Sequence, residues 1–310
     1  MTCTVQPYRS GSDQHRMIEL AQRYASSHPH VVDLPYRLSS WALDSPDNVA
    51  FWVEEGGKLL AWAVMQSPFW AVDYVCPPDD ASLLAKILTW AGQRARVLLH
   101  TAFGRPSWFV HLLADQPASI KILEKAGFTC QESTGENSWS KVLMERAGPT
   151  ALPQALPPAG FALRPLAGDA EAAAYVELHQ AAFESRNMTL EWRLRTLRHP
   201  DYRSLLDLIA VAPDGQLAAF CVGWLQSRVH GDIVGQIEPM GVAKEWRQLG
   251  LGKAILVEVL DRLQVMDAYR VFVETDDQRD AALALYESVG FRRTKKVLVY
   301  RKDYGHDGSK

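Results

Sequence analysis

The stretch that decides the fold is GQIEPMGVAKEWRQLGLGKAIL, Gly235 to Leu256. It opens as a strand, Gly235–Val242, and passes through a short polar turn. R-x-x-G-x-G follows from Arg247 to Gly252, and then a helix with Ile255, Leu256, Val259, Leu260 and Leu263 on one stripe. A strand, a glycine turn and a helix in that order make an anion cradle. Gly250 and Gly252 lack Cβ, so a ligand can approach the backbone closely. The first-turn N–H groups have no partner within the helix, and the helix dipole adds to their pull. Arg247 and Lys253 add full positive charge, so a pyrophosphate suits the site. Taken alone, R-x-x-G-x-G also describes an ordinary glycine-containing loop. The nucleotide-hydrolysing phosphate loop, G-x-x-x-x-G-K-[ST], is absent.

Around this segment the pattern predicts strands at Phe161–Pro165, Leu206–Val211, Leu217–Leu225, Arg270–Glu274 and Arg292–Arg301. Helices are expected at Asp169–Phe183, Leu190–Leu197, Gly250–Gln264 and Arg279–Val289. Pro213-Asp214-Gly215 supplies hairpin chemistry, and Gly290 suits the position after a helix end. The order β-α-α-β-β-β-α-β-α-β is an α/β pattern with a mixed sheet.

ERAGPTALPQALPPAG, residues 145–160, carries Pro149, Pro153, Pro157 and Pro158 and reads as a semi-extended linker, or else as a long surface loop. At ~100–200 residues per domain, 310 residues suggest two domains or one large one. The halves repeat each other. ASIKILEKAGF (118–128) matches AALALYESVGF (281–291), GKLLAWAV matches GQLAAFCV, and SKVLMER matches KKVLVYR, all in the same order. The expected organisation is therefore a first domain at 1–146, a linker at 147–160 and a second domain at 161–310.

A net charge of −3 lacks the basic excess of a nucleic-acid binder. Cys3, Cys76, Cys130 and Cys221 are far apart without C-x-x-C, so neither a disulfide scaffold nor a structural zinc site is expected, and a reducing cytoplasm fits. No apolar run reaches the ~18 residues that span a bilayer, and the start shows no signal-peptide core. Membrane partners and a bound metal are not expected.

With Arg247-Gln248-Leu249-Gly250-Leu251-Gly252 followed by Ala282-Leu283-Ala284-Leu285-Tyr286-Glu287-Ser288-Val289-Gly290-Phe291, the chain resembles the GNAT superfamily of acetyl-CoA-dependent N-acetyltransferases over about residues 160–303. That family carries [QR]-x-x-G-x-[GA] between its fourth strand and third helix, and A-x-x-L-Y-E-x-x-G-F in the next helix. The resemblance implies two tandem domains, each with a mixed, mostly antiparallel sheet flanked by helices. It implies acetyl-CoA as cosubstrate, held by backbone N–H groups from Arg247 through Gln248, Gly250, Leu251 and Gly252 to Lys253. The strand at Met240 and Val242 would pair with the pantetheine arm, and Tyr286 would protonate the leaving thiolate. Tyr286 also shares a helical stripe with Ala282, Leu285 and Val289, so a core aromatic is the alternative. Pro239 fits a bulge in the splayed fourth strand or an edge position.

Two positions depart from the family. Where many members place an Asn that bonds pantetheine, this chain has Asp277, which accepts hydrogen bonds but offers no amide N–H. The glutamate that serves some members as base is Gln236 here, while Glu238 lies on the same strand face, two residues on. Glu238 is the expected base, or else a carboxylate that binds the acceptor amine or pairs with an arginine. As base it is expected to make Glu238→Gln most costly at low pH, where the acceptor is mostly protonated.

The first half keeps the frame and loses the chemistry. Asp80 stands at the place of Arg247, Leu83 at Gly250, Ala71 at Glu238 and Leu123 at Tyr286; only Ala85 keeps the small residue of Gly252. Its role is expected to be structural, packing on the second half and shaping the acceptor cleft. Trp41, Trp52, Trp62, Trp70, Trp90 and Trp108 read as core or interface. Tandem halves with an active second half resemble the mycothiol synthase architecture. The expected reaction moves acetyl to a primary amine by direct attack on the thioester. The expected acceptor is a small-molecule or peptide amine, which the resemblance implies is set by the first two helices and their loop, Phe183–Met188, and the oligomeric state, monomer or otherwise, stays open. A catalytically silent acetyl-CoA-binding sensor is the alternative. A scaffold protein would need none of Arg247, Gly250 and Gly252.

Overall fold

A computed structural model describes residues 3–9, 11–132, 139–227 and 231–305. The first half runs β1 (Cys3–Pro7), α1 (Gly11–Arg23), α2 (Leu34–Leu38), β2 (Val49–Glu54), β3 (Leu59–Gln66), β4 (Ala71–Val75), α3 (Ala81–Leu98), β5 (Ser107–Leu113), α4 (Pro117–Lys125), β6 (Thr129–Cys130) and β7 (Ser140–Ala147). The second half repeats the order with β8 (Ala162–Pro165), α5 (Ala172–Phe183), α6 (Leu190–Arg198), β9 (Asp207–Val211), β10 (Leu217–Ser227), β11 (Ile233–Val242), α7 (Leu251–Val265), β12 (Arg270–Asp276), α8 (Asp280–Glu287) and β13 (Arg292–Asp303). The stretch 151–158 has neither helix nor strand, and Leu152 within it packs on the second half's core.

Periodicity places these elements well, and the differences lie at their ends. A short 3₁₀ turn, Gly168–Glu171, precedes α5. The Glu171 carboxylate accepts from Arg164 and from the Ala167 N–H, which holds the chain in this tighter turn. Helix α7 begins at Leu251 because Gly250 sits at φ +87°, in the left-handed region.

All strands belong to one sheet, in the order β1-β2-β3-β4-β5-β13-β7-β12-β11-β10-β9-β8, with β6 attached to β13. The two halves exchange their last strands. β13 pairs antiparallel with β5 of the first half, and β7 pairs antiparallel with β12 of the second. The exchanged strands pair with each other at the centre, Val297 opposite Lys141.

Alternation along β10 shows how the sheet is covered. Ala219 and Cys221 face the core built with Ile255, Val259 and Leu260 of α7. Phe220, Val222 and Trp224 face the opposite layer, where α5 and α6 contribute Tyr175 and Trp192 and the first half contributes Val32 and Tyr36. The first half packs α3 the same way, through Leu84, Ile87, Leu88 and Ala91. Trp52, Trp62 and Trp108 are fully buried, whereas Trp70 is 38% exposed. All four cysteines are free, with Cys221 in the core. Among the described residues no helix is long and apolar enough to cross a membrane.

Candidate functional site

The site begins with a gap in the sheet. β11 pairs in parallel with β12 only at Val234, Gly235 and Gln236, and then the two strands part. On its other edge β11 stays paired with β10, but Glu238 and Pro239 together oppose Val222. This is a bulge, one of the few places a sheet accepts proline. Beyond it Met240, Gly241 and Val242 border a cavity of about 620 Å³. Their backbone groups on the β12 side have no strand partner, so an extended ligand can add there as a strand would. Gly241 is needed for packing: a Cβ there would lie 2.7 Å from the Phe220 ring.

At the mouth of the cavity the chain turns through Gln248 (φ +64°) and Gly250 (φ +87°) into α7. No side chain caps this helix, so its first N–H groups face the cavity mouth free of an internal acceptor. Leu251 is buried at 1% exposure and offers only its N–H. A Cβ at Gly252 would meet Val242, Leu285 and Met240 at 3.5–3.6 Å, ordinary contact distances within the cavity lining. Lys253 lines the mouth. The Arg247 guanidinium donates to the carbonyls of Val242 (3.1 Å) and Ala182 (2.8 Å), tying the end of β11 to α5.

Glu238 and Tyr286 lie deeper in the same cavity. Burial pushes the Glu238 carboxyl up to about 7, with Asp33 adding to the rise and His30, Lys141 and Arg37 opposing it. The Trp224 indole donates to the Glu238 carbonyl at 2.6 Å and fixes the strand there. Gln236 is 2% exposed and not part of the cavity wall. Tyr286 packs edge-on against Phe291, 5.7 Å between centroids, and burial raises its phenol above the ordinary value.

Asp277 is not brought to this cavity. Its carboxylate accepts from the Ser140 hydroxyl, its N–H donates to the Ser140 carbonyl at 3.1 Å, and it borders a separate hollow beside Lys295 and Lys296. Its neighbours Thr275 and Asp276 line the cavity instead. The exchanged strand β7 explains this, since Ser140 arrives from the first half and captures the carboxylate.

The first half also reaches the inner end of the cavity, through residues that sequence reasoning did not single out. Lys141 of β7 lines it and donates to Glu274 of β12 at 2.7 Å. Burial alone would raise the Glu274 carboxyl, but Lys141, His30 and His111 outweigh it and hold that carboxyl well below the usual range. Arg37 makes a bidentate pair with Asp73 at 2.7 and 2.8 Å. The Phe183–Met188 loop is clamped from the same side: Asn187 donates to the Pro68 carbonyl (2.7 Å) and accepts from the Trp41 indole (2.9 Å). No local motif marks these residues, because they meet only through the shared sheet.

Residues 169–291 match the acetyltransferase (GNAT) family. The chain is 33% identical over 193 residues to a mycothiol acetyltransferase of Kineococcus radiotolerans, covering 60% of this chain and 59% of that protein. A mycothiol acetyltransferase of Thermobispora bispora is 26% identical over 230 residues, 71% of this chain and 70% of that protein. In fold, the chain is similar to a GCN5-related N-acetyltransferase from Sphaerobacter thermophilus (TM-score 0.66, 20% identity, 97% and 95% of the two chains). It is also similar to a tandem GNAT protein from the clavulanic acid biosynthesis pathway (TM-score 0.63, 15% identity, 97% and 98%).

Proposed function

We propose that this protein, whose residues 169–291 match the acetyltransferase (GNAT) family, transfers the acetyl group of acetyl-CoA to a primary amine by direct attack on the thioester. One observation carries the proposal: a single cavity joins an uncapped helix N-terminus, an unpaired strand edge and two titratable groups at its inner end. The first-turn N–H groups of α7, with Gln248 and Lys253, suit a pyrophosphate. The β11 edge at Met240–Val242 suits the amide-bearing pantetheine arm. Bound there, acetyl-CoA supplies an electrophilic thioester carbonyl, and a β11 N–H polarises it.

Glu238 takes the proton of the incoming ammonium. Its raised pKa of about 7 makes it a stronger base than an ordinary carboxylate and leaves it ionised above that pH. Tyr286 gives a proton to the departing sulfur; its raised pKa keeps the phenol protonated at working pH. Neither cysteine nor serine is needed as a nucleophile, and Cys221, on β10, is fully buried in the core against α7. The first half carries no second cofactor site. It supplies structure and polar groups at the acceptor end.

The acceptor is a small-molecule amine. The name shared by the two sequence relatives puts a mycothiol-type precursor amine first among the compounds to try, ahead of polyamines, aminoglycosides and peptide N-termini. Release of free CoA thiol is measured with purified protein over that panel. Turnover with at least one amine supports the proposal. Tight acetyl-CoA binding with no amine-dependent thiol release would make the protein a sensor.

A further inference from the structure

A second polar cluster lies where the halves meet. His30 precedes α2, His111 sits on β5 and Glu274 on β12, and one ligand atom from each lies within 4.8 Å of the others. His111 and Glu274 hold equivalent places on the fifth strand of each half, at the same spacing that separates Ala118 from Ala281. The His30 Nδ1 is 3.1 Å from the Asp33 carboxylate, which turns Nε2 toward Glu274 at 3.8 Å. That Nε2, the Glu274 Oε2 and both ring nitrogens of His111 are buried without a hydrogen-bond partner. The Glu274 side chain is 5% exposed. A buried polar atom left unpaired bears the full cost of its desolvation, so four in one cluster call for a shared partner.

We propose that His30, His111 and Glu274 bind a zinc-type divalent cation that clasps the two halves beside the inner end of the cleft. Two imidazoles and one carboxylate suit zinc or another late first-row ion, rather than magnesium or calcium. Asp33 behind His30 is the outer carboxylate that orients a metal-bound imidazole and fixes its tautomer. Bonds of about 2.0–2.2 Å set the donors about 3.4 Å from one another, so binding would draw them in from their present spacing of up to 4.8 Å. Beside the two histidines a pocket of about 20 Å³, bordered also by Asp73, has room for one water in the fourth position. Glu274 also lines the large cavity, which gives the ion an entry path.

Charge permits the ion. The Asp33, Asp73 and Glu274 carboxylates stand against the cations Arg37 and Lys141, an excess of one carboxylate with both imidazoles neutral. A proton on His30, shared between Asp33 and Glu274, is the competing occupant. It leaves both nitrogens of His111 without a partner, whereas the cation takes up one of them.

The test titrates chelator-stripped full-length protein with Co²⁺. The expected result is one saturating ion per chain, with the intense visible absorption of four- or five-coordinate cobalt, displaced by Zn²⁺. His111→Ala should abolish that spectrum, and Asp33→Asn should weaken binding about 10–100-fold. Circular dichroism checks that both variants fold. Saturating Zn²⁺ should raise the thermal midpoint of the parent and not of His111→Ala. Absence of saturable binding in the parent, or a cobalt spectrum that survives both His111→Ala and Glu274→Gln, overturns the proposal.

Discussion

The same gap in the sheet occurs twice, and the two copies have met different ends. In the second half β11 leaves β12 after Gln236 and the space between them is about 620 Å³. In the first half β4 touches β5 only at Ala71 and Phe109, yet the space left is about 20 Å³. His28, Pro29 and Leu34, from the chain around the start of α2, fill it, with the His28 ring edge-on to Tyr74 at 5.6 Å. Burial lowers the His28 imidazole to about 4, so it packs as a neutral ring. The helices that follow differ in the same sense. α7 starts from bare Gly250, whereas α3 is capped by Asp80, whose carboxylate accepts from the Leu83 N–H at 2.9 Å. One half leaves its helix N-terminus for an external anion, and the other satisfies it with an anion of its own. The gap in the first half is filled by its own side chains within the same frame.

That contrast can be broken most forcefully at Tyr286, whose counterpart is the buried Leu123. Tyr286→Phe keeps the ring and removes the hydroxyl. It should lower kcat by about 10²–10⁴-fold while acetyl-CoA affinity and thermal midpoint hold; a kcat within about twofold of the parent would reduce Tyr286 to packing.

Glu238→Gln comes next, with a cost near 10²-fold above neutral pH. Because its carboxyl is raised to about 7, the parent's rate should climb with pH as the base form appears and level off above that value. The variant should lose this limb, so the two rates converge at low pH. This reverses the sign expected of an ordinary carboxylate, and the cause is burial. A pH–rate profile unchanged by the substitution would leave no role for Glu238 as base.

Gly252→Val should weaken acetyl-CoA at least about tenfold, since a branched side chain enters a packed site, while Ala85→Val at the matching place in α3 should leave binding untouched. Isothermal calorimetry of the parent should find one acetyl-CoA per chain. Two comparable sites would refute the idea that the first cleft is closed. The smallest effect is expected at Asp80→Ala, which should cost about 1 kcal/mol of stability through the lost cap and leave acetyl-CoA binding as it was. Thermal melts and calorimetry on the same preparation read both quantities.

What was legible in the sequence was what lies close along the chain. Gly250, Gly252 and the stripe from Ile255 to Leu263 sit within one strand–turn–helix unit, so spacing located the turn and the resemblance supplied its expected role. Pro239 marked the bulge because so few strand positions accept it. The pairing of the halves hid the rest. Asp277 was assigned to the cavity from its place after a strand, but Ser140 of the exchanged strand takes its carboxylate. Lys141 of β7, Glu274 of β12 and the pair His30 and Asp33 before α2 come from three separate parts of the chain, and no residue spacing records that they converge. The gapless match of Val75–Lys86 with Val242–Lys253 also concealed a change. α3 starts at Ala81, one turn ahead of the matching place in α7, because Asp80 caps it directly and no glycine turn intervenes.

The exchange of β7 and β13 has a consequence for how the protein comes into being. A domain with its own complete sheet can close as soon as its residues leave the ribosome. Here β5 waits for Val297–Asp303 as its neighbour, and β7 waits for β12. At about 5–20 residues per second, the chain between β7 and β13 takes roughly ten to thirty seconds to emerge. For that interval the nascent first half presents strand edges that any other extended chain could join. Synthesis order and folding order are therefore uncoupled, and a strand made after the whole of β8–α8 is the one that closes the first half.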